Sequence, residues 1–354
     1  MKLSKRKVIW GLLFILLILA AIAYAARVPI GKALFERALN SAIDSNPIAD
    51  LPDGLHVGIC GSGSPMPDPT RAGPCTMIRA GKQTFIVDIG GGAARRLGEM
   101  RVQTGGIRAI FLTHFHSDHI DGLGELMLMR WTGGNAAPIP VYGGEGVETV
   151  VEGFNAAYAH DEEYRVAHHG ADIMMPSGRG GTAMPINFAE GIASGVVYNK
   201  DGVVVTAFRV PHDPVSPALG YRFEYGGRSV VISGDTSKSD AVAKACNGCD
   251  ILVHEALNKE MVGVMQAAFE ERGNKQLAKI MSDIPGYHTS PVEAAQVAKQ
   301  GKAKMLVLTH IVPQLPTPLL KPYFLDGVSD AYGGTVKIAK DGEIYQIPAK
   351  DGAQ

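Results

Sequence analysis

The segment FLTHFHSDHIDG, residues 111–122, constrains this chain more than any other part of its sequence. It places His114, His116, Asp118 and His119 within six positions, directly after an apolar strand-like run. Two histidines separated by a single residue in a loop can bind one cation through their imidazoles, and imidazole is a common ligand of zinc and iron. Asp118 and His119 can serve a second cation about 3.5–4 Å away, as in two-metal hydrolases. The segment therefore predicts a dinuclear metal site beside a buried strand.

Apolar runs elsewhere in the chain end at similar polar residues. The five positions that follow such runs are His114, His212, Asp235, His254 and His310. Scattered histidines have no reason to share this position, and residues at the same ends of neighbouring strands can converge on one site. We therefore expect these side chains to lie close together.

The remaining pattern mixes strands and helices. The segments CTMIRAGKQTFIVDIG and YRFEYGGRSVVIS predict hairpins that turn at residues 81–82 and 226–227. The segment SPVEAAQVAKQG predicts a helix that begins with a capping box of Ser290 and Glu293 and stops at Gly301. This mixture of strands and helices predicts an α/β sandwich.

The N-terminus has a different composition. Four basic residues (Lys2, Lys5, Arg6 and Lys7) precede the 19 apolar residues VIWGLLFILLILAAIAYAA. This pattern predicts a signal peptide or a membrane anchor over residues 1–26, and the two alternatives stay open. An anchor would cross the inner membrane through residues 8–26 and leave the body in the periplasm. Residues 27–54 predict a connector, and residues 55–350 the catalytic domain.

The charge balance and the cysteines bear on partners and compartment. The formal net charge is −1, whereas nucleic-acid-binding proteins normally present a basic face, so we expect a small ester substrate and not a nucleic acid. In an exported protein the pair Cys246 and Cys249 can form a local disulfide, remain as thiols, or serve a metal or redox function. Together with Cys60 and Cys75 they do not match the spacing of a zinc ribbon.

Several motifs together resemble the metallo-β-lactamase superfamily. THFHSDH resembles its signature, and VPHDPVSPALGYRFE, SGDTS, LVHEA and YHTSPVEAAQ follow in the order seen in the branch that holds ribonuclease Z and exported arylsulfatases. The opening loop GSGSPMPDPTRAGPC resembles that branch as well. The resemblance implies a four-layer αββα sandwich behind the N-terminal signal or membrane-spanning segment.

The resemblance also implies a residue-by-residue assignment. One cation would be held by His114, His116 and His212; the other by Asp118, His119 and His310; and Asp235 would bridge the two. The cofactors would be two divalent cations, with Zn²⁺ preferred over Mn²⁺ or iron. A hydroxide shared by two cations becomes a nucleophile near neutral pH.

Four residues are candidates for catalysis. Asp118 would orient the attacking hydroxide, and His254, oriented by Glu255 or another carboxylate, is the preferred proton donor to the leaving group. His288 is the second candidate for contact with substrate. Asp88 is expected to support the site and not to bind metal.

The chain departs from ribonuclease Z in one respect. That family typically carries a long tRNA-gripping arm between the third motif and the bridging aspartate, whereas only 23 positions separate His212 from Asp235 here (235 − 212). The Gly/Pro-rich residues 160–200 are expected to form a lid or pocket wall, and the proline-rich tail after residue 311 a second wall or a homodimer contact.

Several functions fit these residues. We favour an exported hydrolase of phosphodiester or sulfate ester bonds, of the arylsulfatase or phosphodiesterase type. The alternatives are a ribonuclease Z-like tRNA 3′ endonuclease and a lactonase or other acyl hydrolase of the same fold. Two further alternatives are a di-iron redox protein and a binding module with a structural metal. Di-iron redox proteins of this fold usually add a flavin domain, which this sequence does not show.

Overall fold

The computed structural model describes residues 5–350 and residue 352. The chain forms two compact units, Met1–Pro47 and Ile48–Gln354. In the first unit, helix α1 (Lys5–Asp44) continues from the apolar run into the expected connector. By length and composition α1 is able to cross a membrane, a property that signal sequences share. The boundaries at residues 26 and 54 therefore stay predictions.

The second unit contains two mixed sheets of seven strands each. In spatial order the first sheet holds β14 (Ile344–Tyr345), β1 (Leu55–Gly61), β2 (Cys75–Ala80), β3 (Gln83–Val87), β4 (Ile107–Phe111), β5 (Ile139–Gly143) and β6 (Gly181–Pro185). The second sheet holds β13 (Thr335–Ile338), β12 (Met305–Val312), β11 (Ile251–Leu257), β10 (Arg228–Ile232), β9 (Val215–Tyr225), β8 (Val203–His212) and β7 (Ser194–Lys200).

Helices connect and cover these strands. They are α2 (Ala93–Glu99), α3 (Ser117–Ile120), α4 (Leu123–Thr132), α5 (Val147–His169), α6 (Asp240–Cys246), α7 (Lys259–Glu271), α8 (Lys275–Asp283), α9 (Pro291–Gln300), α10 (Lys321–Phe324) and α11 (Val328–Ala331).

The two sheets pack face to face over an apolar core. Phe85 and Phe111 of the first sheet meet Phe223 of the second, with ring centroids 5.4–5.9 Å apart across the interface. On its outer face the first sheet packs against α2, α4 and α5, and the second packs against α6 and α9. The order of layers is therefore helix, sheet, sheet, helix, which confirms the expected αββα sandwich.

Both predicted hairpins and the predicted capping box are confirmed. Strands β2 and β3 pair around residues 81–82, and β9 and β10 pair around residues 226–227. The Ser290 hydroxyl accepts a hydrogen bond from the Glu293 amide at 3.2 Å, and the Glu293 carboxylate accepts one from the Ser290 amide at 2.8 Å. This cap fixes the start of α9 directly after residues 287–289, which reach the site described below.

Three of the expected post-strand residues lie inside strands. His212 is the last residue of β8, whereas His254 and His310 lie within β11 and β12. The strands extend beyond their apolar runs because backbone pairing between β11 and β12 continues to Leu257 and Val312. Position within a strand, and not only its end, therefore decides where these side chains point.

All four cysteines are paired. Cys60 bonds to Cys75, and Cys246 bonds to Cys249. The first disulfide closes the loop that carries GSGSPMPDPTRAGP, and the second closes the end of α6. Of residues 160–200, the first ten complete α5, and the rest include β6 and β7.

Candidate metal centre

The structure brings all seven expected metal-binding residues together. The ligand atoms of His114, His116, His212 and Asp235 lie within 4.8 Å of one another. Those of Asp118, His119 and His310 form a second such group. The first sheet supplies the residues after β4, and the second sheet supplies those of β8, β12 and the loop after β10. Each group therefore combines residues of both sheets.

Asp88 positions two of the histidines. Its Oδ2 accepts a hydrogen bond from His119 Nδ1 at 2.9 Å and another from the Thr113 hydroxyl at 2.8 Å. Because that hydroxyl gives its one proton to Asp88, it accepts from His114 Nδ1, which lies 3.0 Å away. A carboxylate behind a metal-binding histidine fixes the ring orientation and the tautomer. Asp88 thus turns the Nε2 lone pairs of His114 and His119 towards the site.

His212 is held in the same way by a backbone group. Its Nδ1 donates to the carbonyl oxygen of Tyr287 at 3.0 Å, which leaves the Nε2 lone pair free. Among residues 5–350 and 352, no protein atom hydrogen-bonds to the buried Nε2 of His119 or of His212. Burial and the neighbouring His119 ring hold the pKa of His114 well below its usual range, and burial also lowers the pKa of His212. Neutral imidazoles are the form that binds a metal.

Two carboxylates face these rings. Asp235 Oδ2 lies 3.3 Å from His119 Nε2, 3.2 Å from His310 Nε2 and 3.9 Å from His114 Nε2. Asp118 Oδ2 lies 3.3 Å from His310 Nε2 and 3.5 Å from His119 Nε2. Burial opposes ionisation of Asp235, but the imidazoles of His310 and His119 outweigh it and hold its pKa well below the usual range. Asp235 therefore lies between both groups as a carboxylate.

This donor set fits two divalent cations. Buried Nε2 atoms without a protein partner converge on carboxylate oxygens, and imidazole with carboxylate is the ligand chemistry of zinc, manganese and iron sites. Proteins of this fold usually bind two metal ions. The assignment of individual ligands to each ion, and the identity of the metal, stay predictions.

A histidine–glutamate pair lies beside the cluster. His288 Nδ1 donates to Glu255 Oε1 at 3.1 Å, and ligand atoms of His288, Asp235 and His310 lie within 4.8 Å of one another. Glu255 Oε1 also accepts from the backbone amide of Thr289 at 2.8 Å. Burial opposes protonation of His288, but the Glu255 carboxylate outweighs it and raises the pKa of His288 to about 9. His288 is therefore a protonated group that faces the site.

The geometry does not support the preference for His254 as proton donor. His254 is fully buried, and alternation along β11 places it on the face shared with Leu252, which packs under the helices. Its Nδ1 donates to the carbonyl oxygen of Glu255 at 2.8 Å, and burial lowers its pKa. The Glu255 side chain, expected to orient His254, bonds to His288. The four catalytic assignments remain predictions, with His288 now placed ahead of His254.

The mouth of the site is less enclosed. His116 is exposed, although its Nδ1 lies 2.9 Å from His114 Nε2, so this residue is the ligand most open to solvent. His168 and His169 end α5 on its exposed side.

The sequence analysis did not single out Thr113 or the backbone carbonyl of Tyr287. The position of Thr113 directly before the histidine cluster could have indicated its role. The role of the Tyr287 carbonyl could not be predicted, because every residue has a backbone carbonyl.

Comparison with known proteins agrees with this fold and site. A family model described as β-lactamase superfamily domain matches residues 85–311. The chain belongs to the metallo-β-lactamase superfamily and is a hydrolase of the kind that acts on ester bonds.

Within the superfamily, its relatives include proteins named ribonuclease Z. The one from Mycobacterium bovis (strain BCG / Pasteur 1173P2) is 39% identical over 264 residues, which cover 74% of this chain and 87% of the relative. The one from Mycobacterium marinum is 36% identical over 299 residues, which cover 84% of this chain and all of the relative. The chain therefore belongs to the ribonuclease Z family. Human tRNase Z, short form, shares the fold, with a TM-score of 0.54, 24% identity and coverage of 83% of this chain and 99% of that one.

The expectation that nucleic acid is not a partner was wrong. The relatives are named as ribonucleases, and the human structure as an enzyme of tRNA. The expectation relied on the short segment between His212 and Asp235, on the export signal, and on a net charge of −1, which counts side chains over the whole chain. Two divalent cations in the site would themselves present positive charge to a phosphate, so the chain needs no overall basic charge there.

Proposed function

We propose that this chain is a ribonuclease Z-like endonuclease that hydrolyses a phosphodiester bond in the 3′ region of tRNA precursors. One observation carries the proposal: relatives named ribonuclease Z align with 74–84% of this chain at 36–39% identity. The site geometry supports it, because a phosphodiester needs both charge neutralisation and protonation of a poor leaving group.

The chain's own residues divide the work as follows. His114, His116 and His212 would hold one cation, Asp118, His119 and His310 the other, and Asp235 both. When bound, the two cations supply an activated water and neutralise charge on the phosphate. Asp118 orients the attacking water. The nucleophile is the hydroxide that remains once this water has released a proton to solvent. As the hydroxide oxygen bonds to phosphorus, the bond from phosphorus to the leaving oxygen breaks, and His288 gives its proton to that oxygen.

Comparing two phosphodiesters tests the role of His288. The full-length protein, purified in detergent, would be assayed on a precursor tRNA with a 3′ trailer and on bis-p-nitrophenyl phosphate. RNA has a poor alkoxide leaving group, whereas p-nitrophenolate leaves without a proton donor. We expect His288→Ala to lower kcat on the precursor by about a hundredfold or more, and far less on the nitrophenyl ester.

The variant His254→Ala is the matched control. Because His254 is a fully buried residue that faces away from the cluster, its removal should affect both substrates equally. If His288→Ala lowered kcat equally on both substrates, His288 would have a structural role and not that of a proton donor. If the metal-loaded wild-type protein left the precursor intact, the proposal of tRNA processing would be wrong.

A second candidate is the hydrolysis of a small phosphodiester or sulfate ester. It is favoured by the segment between His212 and Asp235, in which β9, its turn and β10 leave no room for an RNA-gripping arm. In the same assay, turnover of bis-p-nitrophenyl phosphate or p-nitrophenyl sulfate without cleavage of the precursor would support this candidate over the first.

For the small-ester candidate we also propose that the body is exported. The basic start, a helix long and apolar enough to cross a membrane, and two disulfides support this location. Protease added to intact spheroplasts should digest an exported body and spare a cytoplasmic one. Since tRNA precursors are made in the cytoplasm, a digested body would favour the small-ester candidate, and a protected one the tRNA candidate.

A further inference from the structure

His310 differs from His114, His119 and His212 in what lies behind its ring. The outer ring nitrogens of His119, His114 and His212 bond to Asp88, to Thr113 and to a backbone carbonyl, respectively. His310 points Nε2 at the two carboxylates. Its Nδ1 is buried, and within the described part of the chain it hydrogen-bonds to no protein atom. Metal-binding histidines almost always donate this second N–H to a partner.

A small cavity lies against the cluster, and His119 and Asp235 of the cluster also line it. Its volume is about 20 Å³, and its lining includes Glu255, Thr309 and His310. Glu255 and Thr309 are register partners on the adjacent strands β11 and β12. Their Glu255 Oε2 and Thr309 Oγ1 atoms are also buried, and among residues 5–350 and 352 they have no protein hydrogen-bond partner. Three such atoms therefore belong to residues that line one cavity.

The chemistry of these atoms specifies the occupant. His310 Nδ1 carries a proton when Nε2 binds a metal, Glu255 Oε2 only accepts, and the Thr309 hydroxyl does both. A buried water typically makes about three hydrogen bonds and needs about 10–15 Å³ of cavity. One water can therefore accept from His310, donate to Glu255 and bond to Thr309. The buried polar groups of folded proteins are nearly always satisfied in such a way.

We propose that this cavity is a water site, and that Thr309 is a positioning residue that holds the water between Glu255 and His310. A continuous chain then runs from His288 through Glu255 and the water to His310. These hydrogen bonds connect His288, the residue that faces the leaving group, to His310, a residue that binds metal. The proposal rests on the metal site of the proposed function, but on no particular substrate.

Thr309→Val tests the proposal, because valine keeps the shape of threonine and removes the hydroxyl. The full-length protein would be stripped of metal, and Zn²⁺ binding measured by competition with a chromogenic chelator, without substrate. We expect Thr309→Val to weaken Zn²⁺ binding by about tenfold or more, the usual effect of losing a partner behind a metal-binding histidine. Thr309→Ser keeps the hydroxyl and should bind Zn²⁺ within about twofold of the wild type.

A crystal structure of the wild-type protein with Zn²⁺ gives an independent readout. It should show one water within hydrogen-bond distance of Thr309 Oγ1, Glu255 Oε2 and His310 Nδ1. A dry cavity, or Zn²⁺ affinity unchanged in a folded Thr309→Val protein, would overturn the proposal. If Thr309→Val did not fold, the crystal structure would decide. Neither readout depends on catalysis, so a failure to cleave RNA would leave the result intact.

Discussion

At the scale of single residues, the carboxylate of Glu255 sets the charge on His288. It raises the pKa of His288 to about 9 against the opposing effect of burial. A proton donor works only while protonated, so cleavage of RNA should be lost as the pH rises through this pKa. Glu255→Gln removes the charge that raises the pKa, and we expect the alkaline limb of kcat to move down by about 1–3 pH units.

The measurement is a pair of pH profiles of kcat on the RNA substrate. Bis-p-nitrophenyl phosphate is the control, because its leaving group needs no proton and its alkaline limb should not move. An unchanged limb on RNA in Glu255→Gln would mean that another group is the donor.

Gly90 lies against the backbone of Asp118. A methyl group at this position would lie 2.1 Å from the Asp118 carbonyl oxygen, whereas one at Gly91 would meet only ordinary contacts of 3.7 Å or more. We expect Gly90→Ala to displace Asp118 and to cost about 1–3 kcal/mol of stability, the usual effect of overpacking. Its Zn²⁺ affinity should also fall.

Gly91→Ala, one residue away, is the matched control and should stay close to wild type. Chelator competition measures the affinity of both variants, and thermal unfolding their stability. Equal behaviour of the two would show that the backbone near Asp118 accommodates the extra group.

At the scale of single elements, α9 begins where the site ends. Its capping box at Ser290 follows His288 by two residues. Ser290→Ala should lower the free energy of unfolding by about 1 kcal/mol, the usual cost of losing such a cap. Ser282 is an exposed residue within α8, so Ser282→Ala is the control and should not destabilise. Urea unfolding measures both, and an equal response would mean that the cap contributes nothing.

The strands show what a sequence can and cannot predict about this site. Apolar runs located β4, β8, β10 and β12, and so placed the expected metal-binding residues together. Strand β11 is buried on both faces, and its apolar residues therefore give no sign of which face looks into the site. Alternation puts His254 and Glu255 on opposite faces, but only the packed structure shows that Glu255 faces inward. The choice between His254 and His288 therefore needed tertiary structure.

The helix α5 shows a second limit of prediction from the sequence. Its residues 160–169 were expected to belong to a lid or pocket wall, and the sequence did not predict the helix of 23 residues that they complete. Few of its side chains are buried, so the apolar stripe that usually marks a surface helix is weak. Edge strands β6 and β7, in the same region, alternate between half-buried and exposed residues over only their first four positions.

At the scale of the whole molecule, each cation would join the two sheets. His114, His116, Asp118 and His119 come from the first sheet, and His212, Asp235 and His310 from the second. A ligand that binds only the folded state stabilises it, by about 2.7 kcal/mol at a hundred times its Kd. We therefore expect chelation to lower the midpoint of thermal unfolding by several degrees.

Calorimetry with and without chelator measures this difference. Asp235→Asn removes the carboxylate that faces both groups, so its unfolding midpoint should respond much less to the chelator. A wild-type midpoint that did not respond at all would show that the metals contribute nothing to holding the sheets together.

The division of the site between two sheets also sets when the protein can acquire its metals. Neither expected ligand set is complete once residues 114–119 have been made, because the first set also needs His212 and Asp235 and the second also needs His310. Loading must follow assembly of both sheets. Affinity alone favours some metals over others at almost any site of this kind. We therefore expect the supply of metals in the compartment where the chain finishes folding to help decide which metal the site carries.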